Sequence, residues 1–481
     1  MPNEIELKLE IAPGSVEPLL ASGVLGGDCR ETRLDATYFD TREHELRCHG
    51  HSLRIRNDER MAVQTVKAGD AAAGLFTRGE WELPVVGRHP VADTRTPVSD
   101  LLANRLDDLL PLFDVVTLRR SCRLNSGGAE VEVAVDRAEA VAGDRVVRFC
   151  EIELELLSGP GAALFELARR IDEAAPIRIS AQSKAERGYQ LLGPLPDSIR
   201  AQAVALDPAM DAPAAFAAIA GACLKHYRSN EAILLDRHVP EAVHQARIAL
   251  RRLRSAMVLF RHMLADKERD RLNAGLRDLA QCLGEARDLD VLFTEAEPGP
   301  ILERLGHARS AAHAAMKRRL KARTTRMLML DLSEWVADGA WRRDVATRHL
   351  RETPLTEFAA TALDRMLRKV AKHGRHLVEL EPEARHQLRK DAKKLRYGVE
   401  FLEPLFAAKT KRKRFAKALE ALQDNLGALN DRATAEERLA ALGLIGTPEV
   451  EAFVSRWKTG NLLGKAAKAR HALLEAKPFW R

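Results

Sequence analysis

Two periodicities divide the chain. Up to about residue 192, apolar and polar residues alternate in EIELKLEI (4–11), HSLRIRND (51–58), MAVQTVKAG (61–69), RGEWELPVV (78–86), AEVEVAVDRAEAV (129–141) and FCEIELELL (149–157). Period two predicts strands with two chemically different faces. Breaks such as NSGGAE (125–130) read as hairpin turns. Two helical stretches interrupt the strands, SVEPLLAS (15–22) and AALFELARRIDEA (162–174). The segment 193–213 carries four prolines and reads as a linker. From residue 214 the period becomes 3.6, Ala, Leu, Arg and Lys dominate, and the expectation is all helix.

The helical half repeats itself. VHQARIALRRLRSAMVLF (243–260) is similar to ARHQLRKDAKKLRYGVEFL (384–402), with His244 to His386, Arg251 to Lys393 and Arg254 to Arg396 each 142 residues apart. CLGEARDLDVL (282–292) is similar to NLGALNDRATA (425–435), with Gly284 to Gly427 and Asp288 to Asp431 each 143 apart. A period this long indicates a duplicated bundle and not a solenoid. The expected fold is therefore multi-domain. An N-terminal α+β part, 1–192, is an antiparallel tunnel-like barrel with flanking helices. An all-α part, 214–478, holds two repeats, about 214–350 and 351–478.

Charge follows the same division. Residues 1–200 hold 25 Lys and Arg against 33 Asp and Glu; residues 201–481 hold 51 against 36. An acidic half suits metal ions, and a basic half suits a polyanion. No run of ~18 apolar residues predicts a membrane span, and the charged N-terminus is not expected to be a secretory signal. Six scattered cysteines without a CxxC pair argue against a zinc site or a disulfide framework and fit a reducing cytosol.

The charged faces of the strands are sorted by sign. Glu4, Glu6, Lys8 and Glu10 share one face, as do Arg54 and Arg56, then Glu130, Glu132 and Asp136, then Glu151, Glu153 and Glu155. An ordinary solvated face has no reason to separate acidic strands from basic ones. A site for Mg²⁺ and phosphate together does, because hard cations take carboxylate oxygens and phosphates take Arg and Lys. Closed into a barrel with the charged face inward, such strands would support metal-assisted phosphoryl transfer.

In family order, the chain presents Glu4-Ile5-Glu6-Leu7-Lys8 (ExExK), YFDT (38–41), LRIR (53–56), QTVK (64–67), PLF with Arg119, VEVAVD (131–136), EIELEL (151–156) and SKAERGY (183–189). This set resembles the CYTH family, the triphosphate tunnel metalloenzymes, most closely its inorganic triphosphatase branch. The resemblance implies catalytic Glu4, Glu6 and Lys8. It implies Mg²⁺ or Mn²⁺ held by Glu4, Glu6, Glu132, Glu151 and Glu153, with triphosphate gripped by Lys8, Arg54, Arg56, Lys67, Arg119 and Lys184. Glu80 and Asp136 are further lumen residues. Arg120 and Arg123 compete with Arg119 for its role. The family also contains adenylate cyclases and thiamine triphosphatases, so organic triphosphates stay open as substrates.

In the helical half, His244, Arg247, Arg251 and Arg254 fall on one helix face, and His386, Arg389, Lys393 and Arg396 repeat the spacing. Arg252, Lys390 and Lys394 widen the face, and Lys225-His226 with Arg228 and Lys372-His373 with Arg375 form a second duplicated basic cluster. The histidines lack the i+4 partner a metal needs. Low aromatic content, 5%, argues against stacking on nucleic acid. The duplicated H-x-x-[RK] helix resembles the CHAD family across about 214–475, which implies binding of inorganic polyphosphate and recruitment to cytoplasmic polyphosphate granules. Two expectations follow: a triphosphatase with a polyphosphate-binding module, or a non-catalytic granule-targeting protein.

Overall fold

The alternating segments become β1 (Glu4–Ile11), β2 (Cys29–Asp40), β3 (His51–Asn57), β4 (Ala62–Ala68), β5 (Thr77–Val85), β6 (Leu110–Ser126), β7 (Ala129–Ala142), β8 (Arg145–Ser158) and β9 (Ile177–Ile179). The computed structural model describes residues 4–26, 28–57, 61–68, 77–103, 105–444, 448–455 and 461–481; the side chains of Glu4, Thr77, Arg78, Pro448 and Glu449 lie outside that description. Strand order is β5-β4-β3-β2-β6-β7-β8-β1-β9, and a pairing of β5 with β1 closes the sheet into a barrel. The described pairings are antiparallel.

Closure turns the alternation inside out relative to a small globular sheet. The apolar set Leu7, Leu9, Leu53, Ile55, Val131, Val133, Ile152 and Leu154 is almost completely buried on the outer wall. Helix α1 (Ala162–Ala174) covers part of that wall, burying Leu164, Leu167 and Ile171. The charged set faces the lumen.

Two motifs of the sequence hold the wall together. Asp40, fully buried, accepts from the backbone N–H groups of Thr41, Leu46 and Arg47 and from the Tyr189 hydroxyl at 2.6 Å. Tyr189 lies on α2 (Lys184–Leu191), whose start is fixed by a capping box between Ser183 and Glu186. Thus YFDT and SKAERGY meet in one structural hydrogen-bond cluster.

The cysteine expectation is corrected in one place. Cys29 and Cys122 face each other across β2 and β6 and form a disulfide. Spacing concealed it, because 93 residues separate two positions that only the strand pairing brings together. Cys48, Cys150, Cys223 and Cys282 are free thiols.

The helical part comprises α3 (Ala212–Asp236), α4 (Pro240–Leu259), α5 (Lys267–Glu295), α6 (Pro300–Lys321), α7 (Arg323–Asp338), α8 (Leu355–His373), α9 (Pro382–Leu402), α10 (Lys409–Ala441) and α11 (Leu462–Glu475). The chain forms two compact units, 1–197 with 323–339, and 198–322 with 340–481. So α7, helical in sequence pattern, packs with the strand unit. Arg326 donates to both carboxylate oxygens of buried Asp172 at 2.6 and 3.0 Å, and Arg169 meets Asp331 at 2.9 Å and Glu334.

In the second unit, Phe216, Phe260, Trp341 and Phe358 form an aromatic core with ring centroids 5.1–5.6 Å apart. The segment 198–211 has no helix or strand, yet Val204 and Leu206 are buried and Asn230 brackets the Ile199 backbone with two hydrogen bonds. No described helix is long and apolar enough to cross a membrane.

Candidate active site

Registers decide which charges meet in the barrel. On the β1–β8 pair Glu6 lies opposite Glu155, Lys8 opposite Glu153 and Glu10 opposite Glu151. On β7–β8 Glu132 lies opposite Glu155 and Asp136 opposite Glu151, while β6 sets Arg119 opposite Asp136. One band of lumen therefore carries Glu6, Glu155 and Glu132 in a row. The second band spans two rows, Lys8 with Glu153 and then Glu151 with Asp136 and Arg119.

The second band is a closed ion-pair network. Lys184 Nζ lies 2.7 Å from Asp136 and 3.1 Å from Glu153, and also contacts Glu151. Arg119 is bidentate on Asp136 at 2.8 and 2.7 Å and reaches Glu153 at 2.5 Å. Lys8 Nζ lies 2.8 Å from Glu153 and 3.1 Å from Glu6. Burial alone would lower the Lys184 pKa, but the charges of Glu151, Glu153 and Asp136 outweigh it and raise the pKa. Lys8 is raised in the same way, against burial, by Glu153 and Glu6. The same cations hold Glu153 well below the usual carboxylate range despite its burial.

The first band behaves differently. Burial, and then the like charges of Glu132, Glu6 and Glu153, raise the Glu155 pKa. Repulsion among carboxylates on adjacent strands is what a divalent cation relieves. These all-oxygen donors fit a hard ion such as Mg²⁺ or Mn²⁺. Asp136, Glu151 and Glu153 also converge within 4.8 Å. There, however, the Lys184 ammonium already occupies the centre, so the row through Glu155 is the better-fitting metal wall. Glu151, placed among the metal ligands by resemblance, is fully buried beneath Lys184.

The basic wall stands on β3 and β4. Arg54 donates to the Tyr38 hydroxyl at 3.5 Å, and its Nε is buried without a hydrogen-bond partner among the described residues. Arg56 meets Glu82 at 3.4 Å and Lys67 meets Glu80 at 2.6 Å. Arg119 is the β6 residue in the lumen network. Arg120 pairs with exposed Glu31, and Arg123, itself exposed, pairs with Glu132. Glu4 enters β1, but its side chain lies outside the described residues.

In the helical unit the duplicated faces carry matching contacts. Arg254 donates to Asn273 at 3.0 Å, and Arg396 to Gln423 at 3.4 Å. Arg247 pairs with Asp288 at 3.1 Å, and Arg389 feels the charge of Asp431. Arg247, Arg251, Arg389 and Lys393 crowd together. Burial, and then Arg251, Arg389 and Arg247, push the Lys393 ammonium down to about 7. Burial likewise lowers Arg251, whose Nε has no partner. His244 is pushed down to about 4 by burial and Arg287, so its imidazole is neutral at neutral pH. His386 shares a 2.7 Å contact with Asn430 Oδ1.

Three expected members do not share this face. Arg252 is buried, pairs with Glu400 and lies over the Phe401 ring, because its position points into the α4–α9 packing. Lys394 turns to Asp391 at 3.5 Å, among Arg261, Arg365 and Lys369. Lys390 is exposed beside the face. The second duplicated cluster is not formed, since His226 and Arg228 are buried within the bundle.

Family descriptions agree with this division: "CYTH domain" matches residues 2–189 and "CHAD domain" matches residues 218–440. This chain joins a CYTH domain to a CHAD domain. An inorganic triphosphatase of Haemophilus influenzae is 30% identical over 198 residues, 40% of this chain and 55% of that protein. The match thus spans about half of that relative. An uncharacterized protein of Mycobacterium tuberculosis is 27% identical over 91% of this chain and 88% of its own length. The crystal structure of the CHAD domain of the plant Ricinus communis covers 58% of this chain and 97% of its own, with 29% identity and a TM-score of 0.48.

Two CYTH-domain residues received no site role from the sequence, although Glu155 stood on the acidic face and Tyr38 in the YFDT motif. Glu155 shares the parity of Glu151 and Glu153, a signal that was present; its meeting with Glu6 and Glu132 depends on register. Tyr38 orients Arg54 from a neighbouring strand, and nothing in the sequence announces that contact.

Proposed function

We propose that the CYTH domain hydrolyses inorganic triphosphate to pyrophosphate and phosphate, and that the CHAD domain binds inorganic polyphosphate. The observation that carries the reading is the opposition of a carboxylate wall (Glu6, Glu132, Glu155, with Glu153) to a cationic wall (Arg54, Arg56, Lys67) inside one closed barrel. Glu6, Glu132, Glu153 and Glu155, with Glu4, would hold Mg²⁺ or Mn²⁺. Such an ion supplies Lewis acidity and an activated water when bound. Arg54, Arg56 and Lys67 bind the phosphate chain, and Lys8 neutralises charge where the two walls meet. Arg119 and Lys184 fix Asp136, Glu151 and Glu153 in place, positioning the acidic wall. The CHAD cations Arg247, Arg251, Arg254, Arg389, Lys393 and Arg396 bind a linear polyanion through charge-assisted hydrogen bonds.

The test is phosphate release from tripolyphosphate by the full chain with Mg²⁺, with Mn²⁺, and with excess EDTA, compared with ATP and thiamine triphosphate. Metal-dependent release well above that from the organic substrates supports the reading. No release with either metal from folded protein leaves a polyphosphate-binding scaffold instead.

A further inference from the structure

The helical unit contains a histidine–carboxylate cluster made of residues outside the duplicated basic face. His238 follows the end of α3, Asp290 lies on α5 and His313 on α6. Their ligand atoms converge: His238 Nε2 to His313 Nε2 is 2.9 Å, His313 Nε2 to Asp290 Oδ1 is 2.9 Å, and His238 Nε2 to Asp290 Oδ1 is 3.9 Å. All lie within 4.8 Å of one another.

Hydrogen bonding alone does not satisfy this arrangement. His313 Nε2 offers one in-plane position, either a proton or a lone pair. If it donates to Asp290, it has no second proton for His238. If it accepts from His238, its lone pair faces a carboxylate oxygen. Asp290 is 2% exposed, and its Oδ2 is buried with no hydrogen-bond partner among the described residues. A cation between the three groups resolves the conflict at His313 Nε2 and balances the charge of the buried Asp290 carboxylate. Ligand atoms around a tetrahedral ion with ~2.0–2.1 Å bonds sit ~3.3 Å apart, and the three separations bracket that edge.

We propose that His238, Asp290 and His313 form a divalent transition-metal site of the Zn²⁺ class, separate from the tunnel. The two imidazoles are borderline donors, and with one carboxylate they favour Zn²⁺ over the Mg²⁺ suited to the all-oxygen tunnel. Arg309 donates to Asp290 Oδ1 at 2.7 Å and lies over the Phe293 ring, holding the carboxylate in position from behind. A cavity of about 280 Å³ adjoins the cluster, lined by Arg237, Arg309 and Lys317 besides the two histidines. It leaves room for a fourth ligand, and its cations select an anionic oxygen.

Co²⁺ titration of the full chain, purified without a polyhistidine tag and stripped with chelator, tests the site. Four-coordinate Co²⁺ absorbs intensely in the visible, whereas Co²⁺ in an oxygen-only, six-coordinate tunnel absorbs weakly. The expected result is one equivalent of intense absorption, displaced by Zn²⁺, absent in His313→Ala and His238→Ala, and retained in Glu6→Gln. Absorption that is missing from the wild type, or that persists in both histidine variants, overturns the proposal. So does absorption lost only with Glu6→Gln. His238 is largely exposed, so His238→Ala decides the matter if His313→Ala fails to fold.

Discussion

Lys8 Nζ sits 2.8 Å from Glu153 Oε1, the two residues lying directly opposite each other on β1 and β8. The ammonium neutralises the point where the carboxylate row meets the ion-pair network. Lys8→Met leaves Glu6 and Glu153 without that partner. The expected outcome is a fall in kcat/KM for tripolyphosphate of at least about 100-fold, the scale of removing one preorganised charge partner. Steady-state phosphate release checks it, with circular dichroism confirming the fold.

Glu155 carries a raised pKa because burial, Glu132 and Glu6 disfavour its charge. Protonation therefore competes with metal binding as pH falls through that raised value. Mg²⁺ activation is expected to need more metal at lower pH in the wild type. Glu155→Gln weakens activation by about 10-fold or more at pH values above the raised pKa, approaches the wild type below it, and so flattens the pH dependence. Activation curves across a pH series read both effects.

Polyphosphate affinity should fall as pH rises above neutrality. Lys393 titrates near 7 in the free protein, and a bound polyanion favours its charged form. Below that value the lysine is already charged and binding takes up no proton. Above it, binding must take up a proton, so affinity drops by up to about tenfold per pH unit. Lys393→Met is weaker overall and loses this slope. Proton uptake by calorimetry in buffers of different ionisation enthalpy gives an independent reading.

Arg326 is the strongest test of the unit boundary. Its guanidinium pairs with Asp172, whose side chain is fully buried and also accepts from the Ile177 N–H. Removing one partner of a buried pair costs about 3–5 kcal/mol. Arg326→Ala, or a fragment ending at residue 197, should lower the melting temperature of the barrel. An unchanged melting temperature would show that α7 is dispensable.

The Cys29–Cys122 disulfide closes a long loop between β2 and β6. Reduction, or Cys29→Ser with Cys122→Ser, is expected to cost about 2–4 kcal/mol of barrel stability. Denaturant melts with and without reductant measure it, and the double variant should show no response to reductant.

The sequence alone determined the division of the chain, because local periodicity depends only on neighbours three or four residues away. It also determined the sorting of charge by strand, the duplicated helix of His244 and His386, and the shared charged faces of Lys8 and of Glu153, whereas Arg119 stood out from Arg120 and Arg123 only through its contacts in the barrel. Register and packing decided the rest. That Glu6, Glu155 and Glu132 stand in one row, while Glu151 lies beneath Lys184, depends on how three strands slide past one another. Arg252 and Lys394 each lie one residue from the basic face, and the ~100° step per helical residue turned one into the core and the other toward α8. The disulfide, the docking of α7 on Asp172 and the meeting of His238 with His313 join segments 75–154 residues apart. No local pattern encodes such meetings, because they follow from tertiary packing.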